Sequence, residues 1–308
     1  MPAINDLRDK VVVITGASSG FGKGTSLAVA PAGARLVLAA RRQEVLDTVA
    51  RECESVGTQA ISVCTDVAER SQVEKLAEAA IDQFGRIDIW VNDAGVGALG
   101  RFNDVPLEDH VKVIETDLLG VLFGSYYALA HFRNRGTGTL INVASVLGKI
   151  PAPYYASYTA AKYGVVGLSA ALRQELRQEG IDQVHVCTVL PMSTDTPFFD
   201  HASNYTGHEA TPIPPLYDPQ PAIDAIVSLM THPQPEVVIG GVGKMMVAAH
   251  TLAPQTVESA LAKKTHREQF EKAAAAMPCT GAVRGPVEKG TVVTAGRLVG
   301  GGRPILSD

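Results

Sequence analysis

The sequence predicts an α/β fold built on a doubly wound parallel sheet, in a single domain that carries a lid and a C-terminal extension. Three observations predict it. Short apolar, β-branched runs alternate with segments of helical spacing over the first two thirds of the chain. The runs are continuously apolar, as strands covered on both faces require. A glycine-rich turn joins the first run to the first helical segment. Right-handed crossovers then wind the sheet in both directions and leave a ligand crevice at the carboxyl ends of the strands.

The elements follow in order. Val11 to Thr15 is the first strand and Gly20 to Ala30 the first helix, rich in small residues. Arg35 to Ala40 is the second strand, Gln43 to Ser55 a helix, and Ala60 to Cys64 the third strand. Ser71 to Phe84 reads as a helix opened by a serine cap. Ile87 to Val91 is the fourth strand, and a long helix runs from about Thr116 to Arg133. Leu140 to Val143, a helix from Tyr154 to Gln178, and Val184 to Leu190 complete the regular alternation. Residues 197–221, rich in Pro, His, Thr and Tyr, have the look of a long lid. A helix from Pro219 to Thr231 and a short strand from Val237 to Ile239 follow. The domain is expected to span residues 1–250. Residues 251–308 are expected to form a helix and an irregular, weakly ordered extension, with eight Lys or Arg against four Asp or Glu over 260–308.

Of the 308 residues, 46% are hydrophobic and 19% charged, enough to build a sizeable core. A formal net charge of −5 argues against a nucleic-acid binder. Cys53, Cys64, Cys187 and Cys279 make no C-x-x-C pair and have no His at metal-ligand spacing. They read as free thiols, with no metal site. No apolar run precedes the first strand and none approaches 18 residues, so a cytoplasmic location without a membrane span is expected.

The turn reads Thr15-Gly16-Ala17-Ser18-Ser19-Gly20-Phe21-Gly22. Glycines at 16, 20 and 22 let the backbone turn tightly and come close to a pyrophosphate, which the N–H groups of the helix start would face. Gly16, Ser18, Ser19, Gly20, Phe21 and Gly22 are therefore candidate cofactor residues. The strand–turn–helix setting is that of a Rossmann-type dinucleotide site. Three residues, not one, separate the first two glycines, and in this the chain resembles the short-chain dehydrogenase/reductase family, with its T-G-x-x-x-G-x-G pattern. The resemblance spans roughly residues 8–245.

The second strand ends in Ala39-Ala40-Arg41-Arg42. An acid there would accept hydrogen bonds from the adenosine ribose of NAD, and none is present. Arg41 and Arg42 offer guanidinium forks suited to a 2′-phosphate, so NADP is the expected cofactor. The resemblance adds Asp66 and Val67 beside the adenine. It also adds Asn92, Ala94 and Gly95 from Asn92-Asp93-Ala94-Gly95, where Asp93 replaces the second Asn of the family's N-N-A-G and loses an amide donor.

Tyr158-Thr159-Ala160-Ala161-Lys162 places a phenol and an ammonium on one helix face. The ammonium should lower the phenol pKa and let Tyr158 exchange a proton near neutral pH. The pattern matches the family's Y-x-x-x-K. The family also implies Ser145, thirteen residues earlier, as the group that hydrogen-bonds the substrate oxygen, and Lys162 as a ligand of the nicotinamide ribose. A fourth family position, normally Asn, is Asp117 in Thr116-Asp117-Leu118-Leu119-Gly120. Pro191-Met192-Ser193-Thr194-Asp195-Thr196 resembles the family's P-G-x-x-x-T, so Pro191, Thr194 and Thr196 should meet the nicotinamide carboxamide, with Met192 in place of Gly.

The resulting expectation is an oxidoreductase that moves a hydride between nicotinamide and a carbonyl or alcohol carbon. The alternatives are an epimerase or dehydratase on the same frame, or an NADP-binding sensor without turnover. Phe198, Phe199, Tyr205, Tyr217, Tyr154, Tyr155, Leu147 and Ile150 suggest an apolar substrate. His201, His208 and His232 read as solvated, and Asp195 as a turn residue. The resemblance implies a homodimer or homotetramer.

Overall fold

The computed structural model describes residues 7–298. The first strands form because apolar β-branched residues sit where both sheet faces are covered. β1 (Val11–Thr15) sends Val12 and Ile14 into one core and Val11 and Val13 into the other. α1 (Gly20–Val29) leads to β2 (Arg35–Ala40), α2 (Gln43–Glu54) to β3 (Ala60–Cys64), and α3 (Arg70–Phe84) to β4 (Ile89–Asn92). A two-residue strand β5 (Ala98–Leu99), helix α4 (Leu107–Ile114), a widened π-type turn (Glu115–Leu119) and helix α5 (Gly120–Arg135) precede β6 (Gly138–Val143). α6 (Ala156–Gln178) and β7 (Val184–Leu190) follow. The lid contains α7 (Phe198–His201) and β8 (Ser203–Asn204) and is succeeded by α8 (Gln220–Thr231) and β9 (Glu236–Val238). α9 (Gly241–Leu252) and α10 (Pro254–His266) form a hairpin closed by a π-type turn (Arg267–Glu271).

Seven parallel strands lie in the order β3-β2-β1-β4-β6-β7-β9. One core packs α1, α2 and α8 on one face through residues such as Leu36, Leu46 and Ile226. The other packs α3, α5 and α6 through Trp90, Phe132 and Leu176. A third apolar cluster joins the lid to the α9–α10 hairpin through Phe199, Ile213 and Leu261. The doubly wound parallel sheet is thus the observed fold.

Several local expectations need correction. α3 begins at Arg70 with no side-chain cap, so Ser71 is inside the helix. β4 starts at Ile89, two residues later than read, and before it the buried Asp88 side chain accepts the Val11 N–H (2.9 Å) and Arg86 Nε (2.8 Å). The long helix starts at Leu107, nine residues earlier than predicted, with Glu108 and Asp109 in its first turn, where the helix dipole favours acids. Counted as one run, Leu107–Arg135 is 29 residues and apolar enough to cross a membrane by length and composition alone. Half of its most apolar window is buried in the fold. His208 is not solvated: its Nδ1 meets the Ala273 carbonyl at 3.1 Å. The described part of the extension lies against the domain. Residues 272–298 run back across the domain and pair with it, Asn204 with Cys279 and His208 with Ala275. Residues 299–308 of that extension lie outside the described residues.

Candidate active site

The crevice opens where strand order reverses, between β1 and β4. Thr15 ties these strand ends together. Its hydroxyl donates to the Val91 carbonyl (3.3 Å) and accepts from the N–H groups of Asp93 (3.1 Å) and Ala94 (3.3 Å). Gly16 follows in the left-handed region (φ 74°), and a Cβ there would lie 2.9 Å from the Ala94 nitrogen. At Gly22 a Cβ would lie 2.5 Å from the Gly16 carbonyl oxygen, so this glycine lets the helix start nest against the turn.

A cavity of about 640 Å³ runs from this turn to the head of α6. At one end it meets Gly16, Ser18, Ser19, Gly20 and Phe21 of the turn, Arg41 and Arg42 after β2, and Asp66 and Val67 after β3. In the middle it meets Ala94 and Gly95, and at the far end Asp117, Ser145, Tyr158 and Lys162. Pro191, Thr194 and Thr196 close the side below β7. Two predicted residues do not reach it. Gly22 packs inside the turn. Asn92 is fully enclosed: it accepts from Trp90 Nε1 (2.7 Å) and donates to Asn142 Oδ1 (2.9 Å), which pins β4 to β6. Both act by shaping the crevice.

The far end is built from three elements. Ser145 ends the β6 segment, and its Oγ accepts the Leu147 N–H at 3.1 Å. That bond uses a lone pair and leaves the hydroxyl hydrogen to donate on the Tyr158 side. Tyr158 and Lys162 lie one turn apart on α6, with Lys162 Nζ 5.4 Å from the Tyr158 ring centre. Ser145 also hydrogen-bonds the Tyr158 hydroxyl. Lys162 is 4% exposed and donates to the Val143 carbonyl at 3.2 Å. Its charge is met by Asp117, which is fully buried, with Oδ2 3.2 Å from Nζ and Oδ1 accepting the Val96 N–H at 2.8 Å.

This pairing changes the expected electrostatics. Burial alone would lower the Lys162 pKa, but Asp117, and then Tyr158, hold it above the ordinary lysine value. Tyr158 is raised, not lowered. Burial is the largest cause and exceeds the opposing pull of Lys162, and Asp117 adds to it. The phenol is therefore held in its protonated form. Burial also pushes the Asp93 carboxyl up to about 8 against the pull of Lys162. Near neutral pH Asp93 is mostly protonated and keeps a hydrogen-bond donor, contrary to the loss expected from its sequence.

The substrate side is apolar. Tyr155, Leu147, Phe198 and Phe199 line the cavity as predicted. Tyr154, Ile150, Tyr205 and Tyr217 do not: Tyr154 bonds His266, and Tyr205 donates to Asp109 (2.7 Å). A further wall, absent from the sequence reading, comes from Met245, Met246 and Ala249 of α9 and from Val257, Ala260 and Leu261 of α10. Helical spacing could have flagged this face. Two residues taken as incidental also prove to be placed. His201 lines the cavity and donates from Nε2 to the Lys289 carbonyl (2.9 Å). Asp195 is wholly buried and is bound by residues 294–298.

With this geometry in hand, comparison with known proteins is direct. Residues 10–205 match the family model for short chain dehydrogenases. The uncharacterized oxidoreductase YxnA of Bacillus subtilis is 34% identical over 268 residues, covering 86% of this chain and 75% of YxnA. An alcohol dehydrogenase of the archaeon Thermococcus sibiricus, solved with 5-hydroxy-NADP, superposes with a TM-score of 0.65 at 26% identity, covering 75% of this chain and 95% of that one. A 3-ketoacyl-(acyl-carrier-protein) reductase of Brucella melitensis, solved with NADH, gives a TM-score of 0.67 at 28% identity, covering 77% and 98%. The chain belongs to the short-chain dehydrogenase/reductase family of oxidoreductases, a seven-stranded Rossmann-type member of it.

Proposed function

We propose that the protein is an NADP-dependent oxidoreductase acting on a bulky, apolar carbonyl or alcohol, with Tyr158 as its proton donor and acceptor. The observation that carries this reading is the continuity of one cavity. Two guanidinium groups and a glycine turn without room for Cβ atoms stand at one end, and the Ser145–Tyr158–Lys162 group stands at the other. That cradle fits a dinucleotide whose 2′-phosphate meets Arg41 and Arg42. The bound cofactor supplies or takes up the hydride at the substrate carbon.

The chain's own residues handle the oxygen and its proton. Ser145 turns its hydroxyl hydrogen from the Tyr158 oxygen to the substrate oxygen and fixes its position. Tyr158, kept protonated by burial, gives its proton to the developing alkoxide, so the site is set for reduction. Lys162, held by Val143 and Asp117, steadies the phenolate left behind. Asp117 is a positioning residue, since it acts through Lys162. The lid aromatics and the α9–α10 face exclude water from the reacting carbon. A homo-oligomer is part of the same reading, supported by exposed Leu107, Val111, Leu122 and Tyr126 along α4 and α5.

Replacing Tyr158 by Phe tests the assignment. NADPH binding, read by fluorescence titration, should change less than threefold, while turnover of a ketone panel should fall by at least about 100-fold, within the range general acid catalysis contributes. Undiminished turnover in Tyr158→Phe would remove the phenol from the mechanism.

A further inference from the structure

The family match ends at residue 205, yet the chain's last described segment returns to the crevice. Residues 282–298 are anchored at both ends. At the near end Arg284 pairs with the buried carboxylate of Asp109, and Ala282 donates to the His201 carbonyl (2.7 Å). At the far end the buried Asp195 Oδ2 accepts from Thr294 Oγ (3.1 Å) and the Leu298 N–H (3.0 Å). Arg297 donates to the Thr196 carbonyl (2.9 Å) and pairs with Asp200. Every hydrogen bond to the Asp195 carboxylate among the described residues comes from this segment. A buried carboxylate with all its donors on one strand makes that strand a dedicated docking partner.

Between the anchors, the segment crosses the arginines. Arg41 donates to the Ala282 carbonyl (2.6 Å), and Arg42 donates to the carbonyls of Val287 (3.1 Å), Lys289 (2.9 Å) and Gly290 (3.3 Å). Val292 accepts the Gly20 N–H of the glycine turn (3.0 Å). Ala282, Pro286 and Val287 line the same cavity as Arg41, Arg42 and Asp66, so the space beneath stays open. The chemistry of the acceptors decides what the segment does. A mimic of the 2′-phosphate would present carboxylates, but the segment meets the guanidiniums with neutral carbonyls, and Arg42 also donates to the neutral Ser18 hydroxyl (3.0 Å). Glu288, the acid of the crossing loop, is exposed and pairs with neither arginine. The carbonyls orient both forks and leave both positive charges for an anion below.

We propose that residues 282–298 are a strap belonging to the dinucleotide site: they roof its adenosine half, aim Arg41 and Arg42 at the 2′-phosphate, and must lift for the dinucleotide to enter or leave. This rests on the reading that a nicotinamide dinucleotide fills the crevice. The strap therefore slows exchange and favours NADPH over NADH.

The test opens the latch in the full-length protein with Thr294→Val/Arg297→Ala, and independently with Gly290→Val. A Cβ at Gly290 would lie 2.3 Å from His201 Nε2, and its φ of 70° disfavours a β-branched residue. Stopped-flow fluorescence reads NADPH and NADH release, and hydrogen exchange reads residues 282–298 with and without NADPH. Release of NADPH should quicken at least tenfold, about 1.4 kcal/mol, and by more than that of NADH. In the unaltered protein, NADPH should add exchange protection to the strap. Slower release or tighter binding in the folded variants would make the strap a competitor, and unchanged release would make it a bystander; either overturns the proposal. If the unaltered protein binds neither dinucleotide, the functional reading fails first and the strap's role falls with it. Should one variant fail to fold, the other carries the measurement.

Discussion

Replacing Asp117 by Asn removes the charge that faces Lys162 while keeping a side-chain oxygen for the Val96 N–H. In the present structure the two charges are 3.2 Å apart. At an effective dielectric of about 20, that separation corresponds to roughly 5 kcal/mol of attraction before desolvation. Lys162 also lies 5.4 Å from the Tyr158 ring centre. A lone ammonium at that distance would stabilise phenolate by about 3 kcal/mol. Asp117 now offsets part of this and helps hold the Tyr158 pKa up. In Asp117→Asn the phenol should become more acidic, because the charge that opposes Lys162 is gone. The assay is the pH dependence of kcat/KM for carbonyl reduction, in which activity is lost as Tyr158 deprotonates. The basic limb should move toward lower pH. A stability loss of about 3 kcal/mol, read by denaturant unfolding, should accompany it, because a buried cation loses its partner. A basic limb that stays in place, or moves upward, would refute the argument that Asp117 sets the phenol through Lys162.

Two further outcomes follow from the same site. Arg41→Ala should weaken NADPH binding by about 10- to 100-fold, as expected when a charged hydrogen bond is lost, and weaken NADH far less; equal losses in calorimetric titrations would contradict a 2′-phosphate site. Asp93→Asn should flatten the pH dependence of thermal stability. The folded carboxyl titrates near 8 and the unfolded one at its ordinary acidic value, so wild-type stability is full below the unfolded pKa and is lost as pH rises toward 8. The Tm advantage of the Asn variant should widen from about pH 4 to pH 8 and then level off; parallel Tm curves would show that Asp93 is not buried as its surroundings imply.

What the sequence made legible follows from how each feature is encoded. β1, β2 and β7 fall on the predicted residues because near-continuous burial demands apolar, β-branched side chains and their neighbours break the run. The meeting of Tyr158 with Lys162 was legible because a spacing of four fixes it on any helix. The direction of the Tyr158 shift was not. It depends on whether burial and Asp117 together outweigh one ammonium, and Asp117 lies more than forty residues away on another element. The start of the long helix was hidden because Glu108 and Asp109 resemble loop residues until their place in the first turn is known, and the π-type turn breaks the spacing at Glu115–Leu119.

The strap lies further from what sequence reading can reach. Its contacts to Arg41, Arg42 and Gly20 run through the carbonyls of Ala282, Val287, Lys289, Gly290 and Val292. Every residue carries that acceptor, so no side-chain pattern marks the segment as a binding element. Its traces are indirect: Asp109 and Asp195 are acids buried in a fold that otherwise buries few, and Arg284 and Arg297 are bases in a stretch with no helical spacing. A buried acid requires donors. Arg284 supplies them to Asp109, and Thr294 with the Leu298 N–H supplies them to Asp195, so two distant anchors draw the intervening backbone over the crevice and place a roof whose own residues carry no signature.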